Sequence, residues 1–414
     1  MHSHLTLALL VCLAMSSAPL HAQRSEVLAS HIASLQVNVG DDWTAALPVA
    51  SLGQQTPVNI SFDDLTHEYH RYCYKIEHCE SDWSASSQLF TSDYCEGFAE
   101  GNTIDDMVES INTAQLYTHY AFQIPNDRCR LKISGNYRVT VYDENDEDRP
   151  VLRVCFMVAE PGMNVRLQQQ TNTDVDYNGS HQQISMEVAF NALPVTNAAT
   201  QVFTVLMQNG RWDNAVTGSQ PQYVMASGLK WEHNRNFIFP AGNEYHKFEL
   251  LDVKRTAMGV ERIDWDGNQY HAHLWPDEPR PNYVYDEDAN GAFIIRNTDN
   301  EEISNTTEYV MVHFTLKAPR QENPIFLNAK WTNDQFLPEY EMKWNAQKLC
   351  YEDSLMLKQG YYSYQYLTQD AAGHYGPLPS EGSFFQTSNT YQALVYYRGT
   401  RDRTDRLVGY ADLK

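Results

Sequence analysis

The stretch "YKIEHCESDW", from Tyr74 to Trp83, gathers residue types that could bind a metal ion or form a catalytic pair. The alternating polarity of "YCYKIEHC" predicts a strand, and neighbouring residues of a strand point to opposite faces. His78 and Cys79 therefore cannot easily share one ion. We predict that His78 is hydrogen-bonded at a strand end. A polar turn follows, and Trp83 is expected to cap the edge of a β-sandwich.

A second candidate for metal binding is "YHAHLW", which contains His271 and His273. Residues two apart on a strand share a face, so this pair could chelate an ion. The sequence offers no evident third ligand, and a metal site needs a fuller set of ligands. We predict a solvated strand face here, with no metal and no cofactor.

Acids and aromatic residues occur together in "RIDWDGN" and "WPDEPR", around Trp265 and Trp275. Paired carboxylates beside aromatic rings are typical of glycoside hydrolases, but Asp and Gly also form ordinary turns. The chain has no G-x-S-x-G nucleophile elbow and no glycine-rich phosphate loop. We predict no catalytic residues. A carbohydrate-binding or glycan-processing accessory sandwich protein remains the alternative.

The elements that would position these residues are short strands. In "NYRVTVYDEN" the side chains of Tyr137, Val139 and Val141 fall on one face, and a hairpin across residues 143–150 leads to "VLRVCFMV". Similar runs recur to the end of the chain, whereas "DDMVESIN" is the one segment expected to form a helical turn or two. The pattern predicts an all-β chain of sandwiches.

The strand groups predict three abutting units. These are an N-terminal sandwich at residues 24–160, a central β domain at 161–300, and a C-terminal sandwich with a short tail at 301–414. No low-complexity linker separates them, so we expect the units to contact one another.

The N-terminal residues indicate an exported protein, and the net charge limits its ligands. An apolar run from Leu5 to Met15 precedes small residues, which predicts a signal peptide, residues 1–22, cleaved after Ala22. The remaining chain is expected to be exported and soluble, without direct membrane insertion. A net charge of −23, from 53 acids and 30 bases, excludes nucleic acid and anionic lipid as direct ligands.

Six cysteines follow the predicted cleavage point, and export permits disulfides. Cys73 and Cys79 lie six residues apart on one strand, about 20 Å in extended geometry, which is too far for a bridge. Whether any of the six pair stays open; they are Cys73, Cys79, Cys95, Cys129, Cys155 and Cys350.

A family resemblance covers nearly the whole chain after the signal peptide. The segments that carry it, in order, include "YKIEHCESDWSASSQLFTSDYCEGF", "SINTAQLYTHYAFQIPN", "SGNYRVTVYDEN", "FPAGNEYHKFEL", "YHAHLWPDEPR", "YEDSLMLKQGYYSYQYL" and "EGSFFQTSNTYQALVYYRG". The chain resembles the type IX secretion system plug protein family of Bacteroidota.

The resemblance implies tandem immunoglobulin-like β-sandwiches and no enzymatic activity. It implies a periplasmic protein that binds and seals the periplasmic opening of the large outer-membrane translocon barrel. Such a plug needs a body too large to pass the pore and a surface that binds reversibly. We expect exposed Tyr and Trp side chains to act as anchors, and the acidic surface to favour basic loops of the partner. No motif marks the partner-binding residues.

Overall fold

The computed structural model describes residues 23–54, 56–298 and 301–414, so the predicted signal peptide at 1–22 lies outside the described residues. Short β-strands dominate these ranges and form several antiparallel sheets, which confirms the predicted all-β fold. Within the described ranges, no helix has the length and apolar character that crossing a bilayer requires.

The first sandwich follows directly from the alternating runs near the N-terminus. Its strands are β1 (Glu26–Val27), β2 (Ile32–Val39), β3 (Val49–Ser51), β4 (Val58–Asp64), β5 (Tyr72–Cys79), β6 (Cys95–Gly97), β7 (Asn102–Thr103), β8 (Asp106–Glu109), β9 (Thr118–Ile124), β10 (Cys129–Leu131), β11 (Gly135–Asp143) and β12 (Asp146–Ala159). One sheet has the order β1-β12-β11-β5-β7, with β3 beside β12, and the other has the order β2-β4-β9-β8. Strands β6 and β10 form a separate two-stranded sheet.

The core between these two sheets is built as the alternation predicts. Tyr137, Val139 and Val141 of β11 are fully buried in it, and Phe156 of β12 stacks on Tyr137 with the ring centroids 5.6 Å apart. The hairpin is tighter than predicted: β12 pairs with β11 from Asp146 onward, so the turn is shorter than residues 143–150.

The second sandwich begins after residue 160 with a sheet of order β13-β14-β18-β17, in which β19 also pairs with β14. Strands β15 and β16 are the first two strands of its other sheet in chain order. The bounds are β13 (Asn164–Gln170), β14 (His181–Ala189), β15 (Val202–Gln208), β16 (Val216–Thr217), β17 (Tyr223–Met225), β18 (Gly228–Trp231) and β19 (Ile238–Pro240).

The third sandwich occupies residues 246–377 and encloses its own apolar core. Its strands are β20 (His246–Leu250), β21 (Val260–Trp265), β22 (Tyr270–Leu274), β23 (Phe293–Ile295), β24 (Tyr309–Leu316), β25 (Ile325–Asn328), β26 (Lys343–Asn345), β27 (Cys350–Lys358), β28 (Gly360–Gln369) and β29 (Tyr375–Pro377). One sheet has the order β20-β28-β23, with β25 and β29 also paired to β28, and the other has the order β21-β22-β24-β27-β26.

The chain then returns to the second sandwich with β30 (Tyr391–Tyr397) and β31 (Arg406–Leu413), which complete the sheet β16-β15-β30-β31. The strand pairing therefore divides the chain differently from the predicted units 161–300 and 301–414. A boundary at 300 falls inside the third sandwich, because β22 pairs with β24 and β23 with β28. The third sandwich is an insertion within the second.

The burial of β30 gives the physical reason for this return. Every residue of "YQALVYY" is buried, which requires a strand covered on both faces. Tyr391, Ala393 and Val395 enter the core of the second sandwich. Leu394 and Tyr396 point the other way, into a core that the second sandwich shares with the first.

Trp83 lies in that shared core rather than capping a sandwich edge. Its side chain is fully buried, and Trp212 of the second sandwich meets it edge-on at 5.9 Å between ring centroids. The prediction of an edge position was wrong because a second sandwich covers this sheet face, which a local pattern cannot reveal.

Helical structure among the described residues is limited to single turns. These are α1 (Thr91–Tyr94), α2 (Ala198–Gln201) and α3 (Ile303–Thr306), and the 3-10 turns Trp212–Asn214, Arg235–Phe237, Lys330–Thr332, Pro338–Tyr340 and Pro379–Glu381. The helical turn predicted for "DDMVESIN" is wrong: its residues Asp106–Glu109 form β8, an edge strand paired with β9.

The first and third sandwiches meet around a buried carboxylate, Asp63 of β4. Lys358 of β27 places its Nζ 2.7 Å from Asp63 Oδ2, and the two side chains are 2% and 1% exposed. Tyr309 donates a hydrogen bond of 2.6 Å to the same oxygen, while His119 lies 2.7 Å from Oδ1. Burial opposes ionisation of Asp63, but Lys358 and His119 together outweigh it and lower the pKa of Asp63.

Further polar contacts surround this ion pair. The Glu308 carboxylate accepts hydrogen bonds from the backbone amides of Ala114, at 2.6 Å, and Gln115, at 3.2 Å. Tyr117, whose ring lies 3.9 Å from Lys358 Nζ, donates to the carbonyl oxygen of Thr307. The first and third sandwiches are therefore held in one relative position by directional contacts.

Replacing Asp63 by Asn should leave the Lys358 ammonium group buried without a counter-charge. We expect the free energy of unfolding to fall by about 3–5 kcal/mol, because the desolvation cost of the ammonium group remains while its partner is lost. Chemical denaturation measures the change. The double variant Asp63→Asn, Lys358→Met should recover part of the loss.

The matched control is Glu278→Gln, which removes a carboxylate from the exposed pair Lys317–Glu278, whose side chains are 54% and 67% exposed. That change should cost less than about 1 kcal/mol. Equal effects of Asp63→Asn and Glu278→Gln would contradict the role assigned to Asp63.

Candidate functional site

Three histidines lie together on the outer face of the third sandwich. His271 and His273 share a face of β22, as predicted, and the parallel pairing of β22 with β24 sets His273 beside His313. The antiparallel pairing of β24 with β27 adds Ser354 opposite His313. We call these four residues the histidine face. Sequence reasoning missed His313, although the alternation in "YVMVHFTL" assigns it to an outward position.

The rings of the histidine face are stacked. The His273 and His313 centroids are 4.3 Å apart at 11° between planes, and those of His271 and His313 are 5.1 Å apart at 13°. Hydrogen bonds join two of these rings to each other and to Asp266 and Ser354. Asp266 Oδ2 lies 3.0 Å from His271 Nε2, His271 Nδ1 lies 2.8 Å from His313 Nε2, and Ser354 Oγ lies 2.7 Å from His313 Nδ1.

The electrostatics keep the centre of this stack uncharged at neutral pH. Burial, followed by the neighbouring His273 and His271, lowers the pKa of His313 to about 4. Burial and Arg262 lower the pKa of His273. Like charges at this spacing would repel strongly, so the stack disfavours a second bound proton.

The stacked geometry suits hydrogen bonding between rings better than shared coordination. Nitrogens of parallel rings do not converge on one point, as a tetrahedral site requires. Across the described residues, no group of three or more His, Cys, Asp or Glu side chains is arranged to hold a metal ion.

A groove of about 1050 Å³ runs beside the histidine face. Its lining includes Arg262, His273, Trp344 and Leu349, and the Leu349 side chain is 69% exposed. At the tip of the β21–β22 hairpin, Trp265 is half exposed and packs on Tyr270 with a centroid distance of 4.6 Å. The groove offers polar, aromatic and aliphatic contacts together.

Residues 275–290, which we call the aromatic loop, present further exposed side chains. Trp275 is 59% exposed, Val284 73% and Tyr285 66%, and Asp286 and Glu287 follow directly. Exposed aromatic groups beside carboxylates are suited to a partner that offers apolar pockets and positive charge.

Ion pairs and hydrogen bonds hold the aromatic loop on the sandwich. Arg280 binds Glu381 through two nitrogens, with its Nε at 3.0 Å, and Tyr283 donates a hydrogen bond of 2.6 Å to Glu244. Lys247 Nζ lies 2.6 Å from Asp286 Oδ1. The loop is thus fixed at several points, which limits the entropy that its exposed side chains would lose on binding.

His246 of β20 holds the start of the aromatic loop through an ion pair with Asp277. Its Nδ1 lies 2.9 Å from Asp277 Oδ1 and its Nε2 lies 2.7 Å from Glu381 Oε2. Tyr364 and Tyr366 donate hydrogen bonds of 2.8 and 2.7 Å to the other oxygen of Asp277. Burial opposes the charged imidazole, but Asp277 and Glu381 outweigh it and raise the pKa of His246 to about 9.

The stretch from Tyr74 to Trp83 has a structural role, and among the described residues it provides no set of ligands for a metal ion. His78 is buried and hydrogen-bonded, which confirms the prediction: its Nε2 donates to the Ser134 carbonyl at 3.1 Å, and its Nδ1 accepts from Ser86 at 2.8 Å. Burial lowers the pKa of His78. Cys79 points to the opposite face, into the core shared with the second sandwich.

Comparison with known proteins finds similarity to a family model and to solved structures. A family model described as "Type 9 secretion system plug protein 1st domain" matches residues 32–160. A solved structure from Parabacteroides merdae ATCC 43184, described as a hypothetical protein, is 37% identical, with a TM-score of 0.91. The match covers 94% of this chain and 99% of that one. No curated protein matches the chain.

The strand pairing and the shared cores define an all-β protein of interlocked sandwiches. The family match falls on the first sandwich, from β2 to the residue after β12. The chain belongs to the type IX secretion system plug protein family, and it is a protein associated with type IX secretion.

The raised pKa of His246 predicts a specific loss of stability at alkaline pH. Its contribution is complete below the unfolded pKa of about 6.5 and is lost as pH rises through about 9, which amounts to roughly 3 kcal/mol. Thermal unfolding of the native chain and of His246→Gln between pH 6.5 and 10 should show a steeper fall for the native chain.

The control for this pH series is His374→Gln, because His374 is 80% exposed in its pair with Asp370. This variant should follow the native curve. Parallel curves for the native chain and His246→Gln would contradict a charged His246 at neutral pH.

Proposed function

We propose that this chain binds and seals the periplasmic opening of the type IX secretion outer-membrane translocon, and that it acts without catalysis. The observation that carries the proposal is the interlocking of three sandwiches into one body. The second sandwich is closed by strands that follow the third, and the buried pair Asp63–Lys358 joins the first to the third.

Interlocking matters because a plug must resist passage through the pore it closes. A compact chain of this length has a diameter of roughly 55 Å. Three sandwiches joined by flexible linkers could enter a pore one after another, whereas a single body presents its full width to the pore. The buried polar contacts between sandwiches fix their relative orientation within that body.

The aromatic loop is our candidate for the surface that binds the translocon. Trp275 and Tyr285 bring large contact area, and the ion pair Arg280–Glu381 holds the loop in place before binding. The excess of acidic residues favours basic loops around the opening of the barrel, so the affinity should fall as salt concentration rises.

The periplasm is the location that this proposal requires, and the predicted signal peptide supports it. A second candidate function is carbohydrate binding, which the exposed Trp265 and Trp275 favour because sugars stack on such rings. The two functions differ in what the tryptophans contact, and one set of variants can separate them.

Binding of the purified translocon barrel to the immobilised chain provides the test. The double variant Trp275→Ala, Tyr285→Ala should bind the barrel about 10–100-fold more weakly, as expected when two exposed anchors are truncated. Phe90→Ala is the matched control, since Phe90 is an exposed aromatic side chain, 75% accessible, on the first sandwich.

Failure of the native chain to bind the barrel at micromolar concentration would contradict the proposal. A parallel glycan array distinguishes the alternative: sugar binding that is lost in Trp265→Ala and Trp275→Ala, without barrel binding, would favour a carbohydrate-binding protein. Equal loss of barrel binding in Phe90→Ala would remove the aromatic loop as the specific contact.

A further inference from the structure

Two cysteines of the first sandwich face each other at one end of its core. Cys95 begins β6 and Cys129 begins β10, and the antiparallel register sets Cys129 opposite Gly97 and Cys95 opposite Leu131. Their Sγ atoms are 3.1 Å apart, and the residues are 4% and 0% exposed.

The backbone around this pair allows close approach of the two strands. Gly97 has a φ of +103°, and a Cβ at that position would overlap the carbonyl oxygen of Arg128, the neighbour of Cys129. Only glycine adopts such a conformation readily and leaves room for the facing backbone. The two strands therefore lie close together at this point of the sheet.

We propose that Cys95 and Cys129 form a disulfide that closes this end of the first sandwich when the protein meets a disulfide oxidant. Bond formation needs the sulfurs to approach by only about 1 Å, to a length of about 2.05 Å. The periplasmic location proposed above would supply an oxidising environment, but the geometry of the pair does not depend on the plug function.

Among the described residues, the other cysteines are not placed to bridge one another. Cys79 on β5 and Cys155 on β12 are separated by the intervening strand β11 and offset by two residues along it, so their Cα atoms lie roughly 12 Å apart, beyond the reach of a disulfide. Cys73 is on the same strand as Cys79 and too far along it, and Cys350 belongs to the third sandwich.

The two thiols differ in pKa, and this difference determines which of them attacks the oxidant first. The hydrogen bond from Cys129 lowers the pKa of Cys95, so Cys95 is the thiol that ionises first. Its thiolate attacks one sulfur of the oxidant disulfide and expels the other sulfur as a thiolate, which leaves a mixed disulfide on Cys95.

Cys129 completes the exchange. Its thiol releases a proton, and its sulfur attacks Cys95 Sγ and expels the second oxidant thiol. In total, two cysteine thiols are oxidised to one disulfide, and one oxidant disulfide is reduced to two thiols.

The bond would join residues 34 apart in sequence and enclose β7, β8 and β9. Cross-linking a loop of this length restricts the unfolded chain, so oxidation should raise the melting temperature of the first sandwich by roughly 5–10 °C.

The test uses the full chain, reduced and then treated with oxidised glutathione. After alkylation of the remaining thiols, non-reducing digestion and mass spectrometry should recover a peptide that links Cys95 to Cys129, with two fewer alkylated thiols. Calorimetry of the reduced and oxidised chain should show the rise in melting temperature. The reduced native chain serves as the folded reference.

Variants make the assignment specific. Cys95→Ser and Cys129→Ser should each abolish the linked peptide and the thermal shift, while Cys73→Ser and Cys350→Ser should keep both. If a serine variant misfolds, the peptide mapping of the oxidised native chain still tests whether Cys95 and Cys129 are linked. A folded, oxidant-treated native chain without this peptide, or with another pair linked, would overturn the proposal. No translocon is needed, so this outcome is separable from that of the proposed function.

Discussion

A buried carboxylate at the meeting point of two sandwiches is the constraint on which the rest of this structure depends. Asp63 belongs to the first sandwich, but its counter-charge Lys358 and one hydrogen-bond donor, Tyr309, belong to the third. A displacement that leaves these groups buried but unpaired costs several kcal/mol, whereas full separation returns them to water. The polar groups thus fix the relative orientation of the docked sandwiches, which apolar contacts alone define less sharply.

Buried ion pairs also hold the surface that we assign to partner binding. The aromatic loop begins above His246, whose charge is stabilised by Asp277 and Glu381, and Glu381 also binds Arg280 of the loop. The exposed side chains therefore belong to a loop that buried ion pairs hold in place. A preordered contact surface and a body that does not come apart are the two physical requirements of a reversible seal.

Local patterns in the sequence were sufficient for most of the strands, although not for β8, and for which residues share a face. The alternation around Tyr137 and Val139, the opposite faces of His78 and Cys79, and the shared face of His271 and His273 all follow from a period of two. Contacts between distant segments were beyond the same reasoning. His313 joins the histidine face through a parallel pairing 40 residues away, Trp83 is covered by another sandwich, and β30 returns across an inserted domain. These features depend on which sheets meet, and no local period encodes that.

Ion conductance of the purified translocon barrel in a planar lipid bilayer tests the central claim most directly. Addition of the chain to the periplasmic side should reduce the conductance of the open barrel, and removal of the chain should restore it. Addition to the opposite side should have no effect. An unchanged conductance while the chain is bound to the barrel would contradict the proposal that it seals the opening.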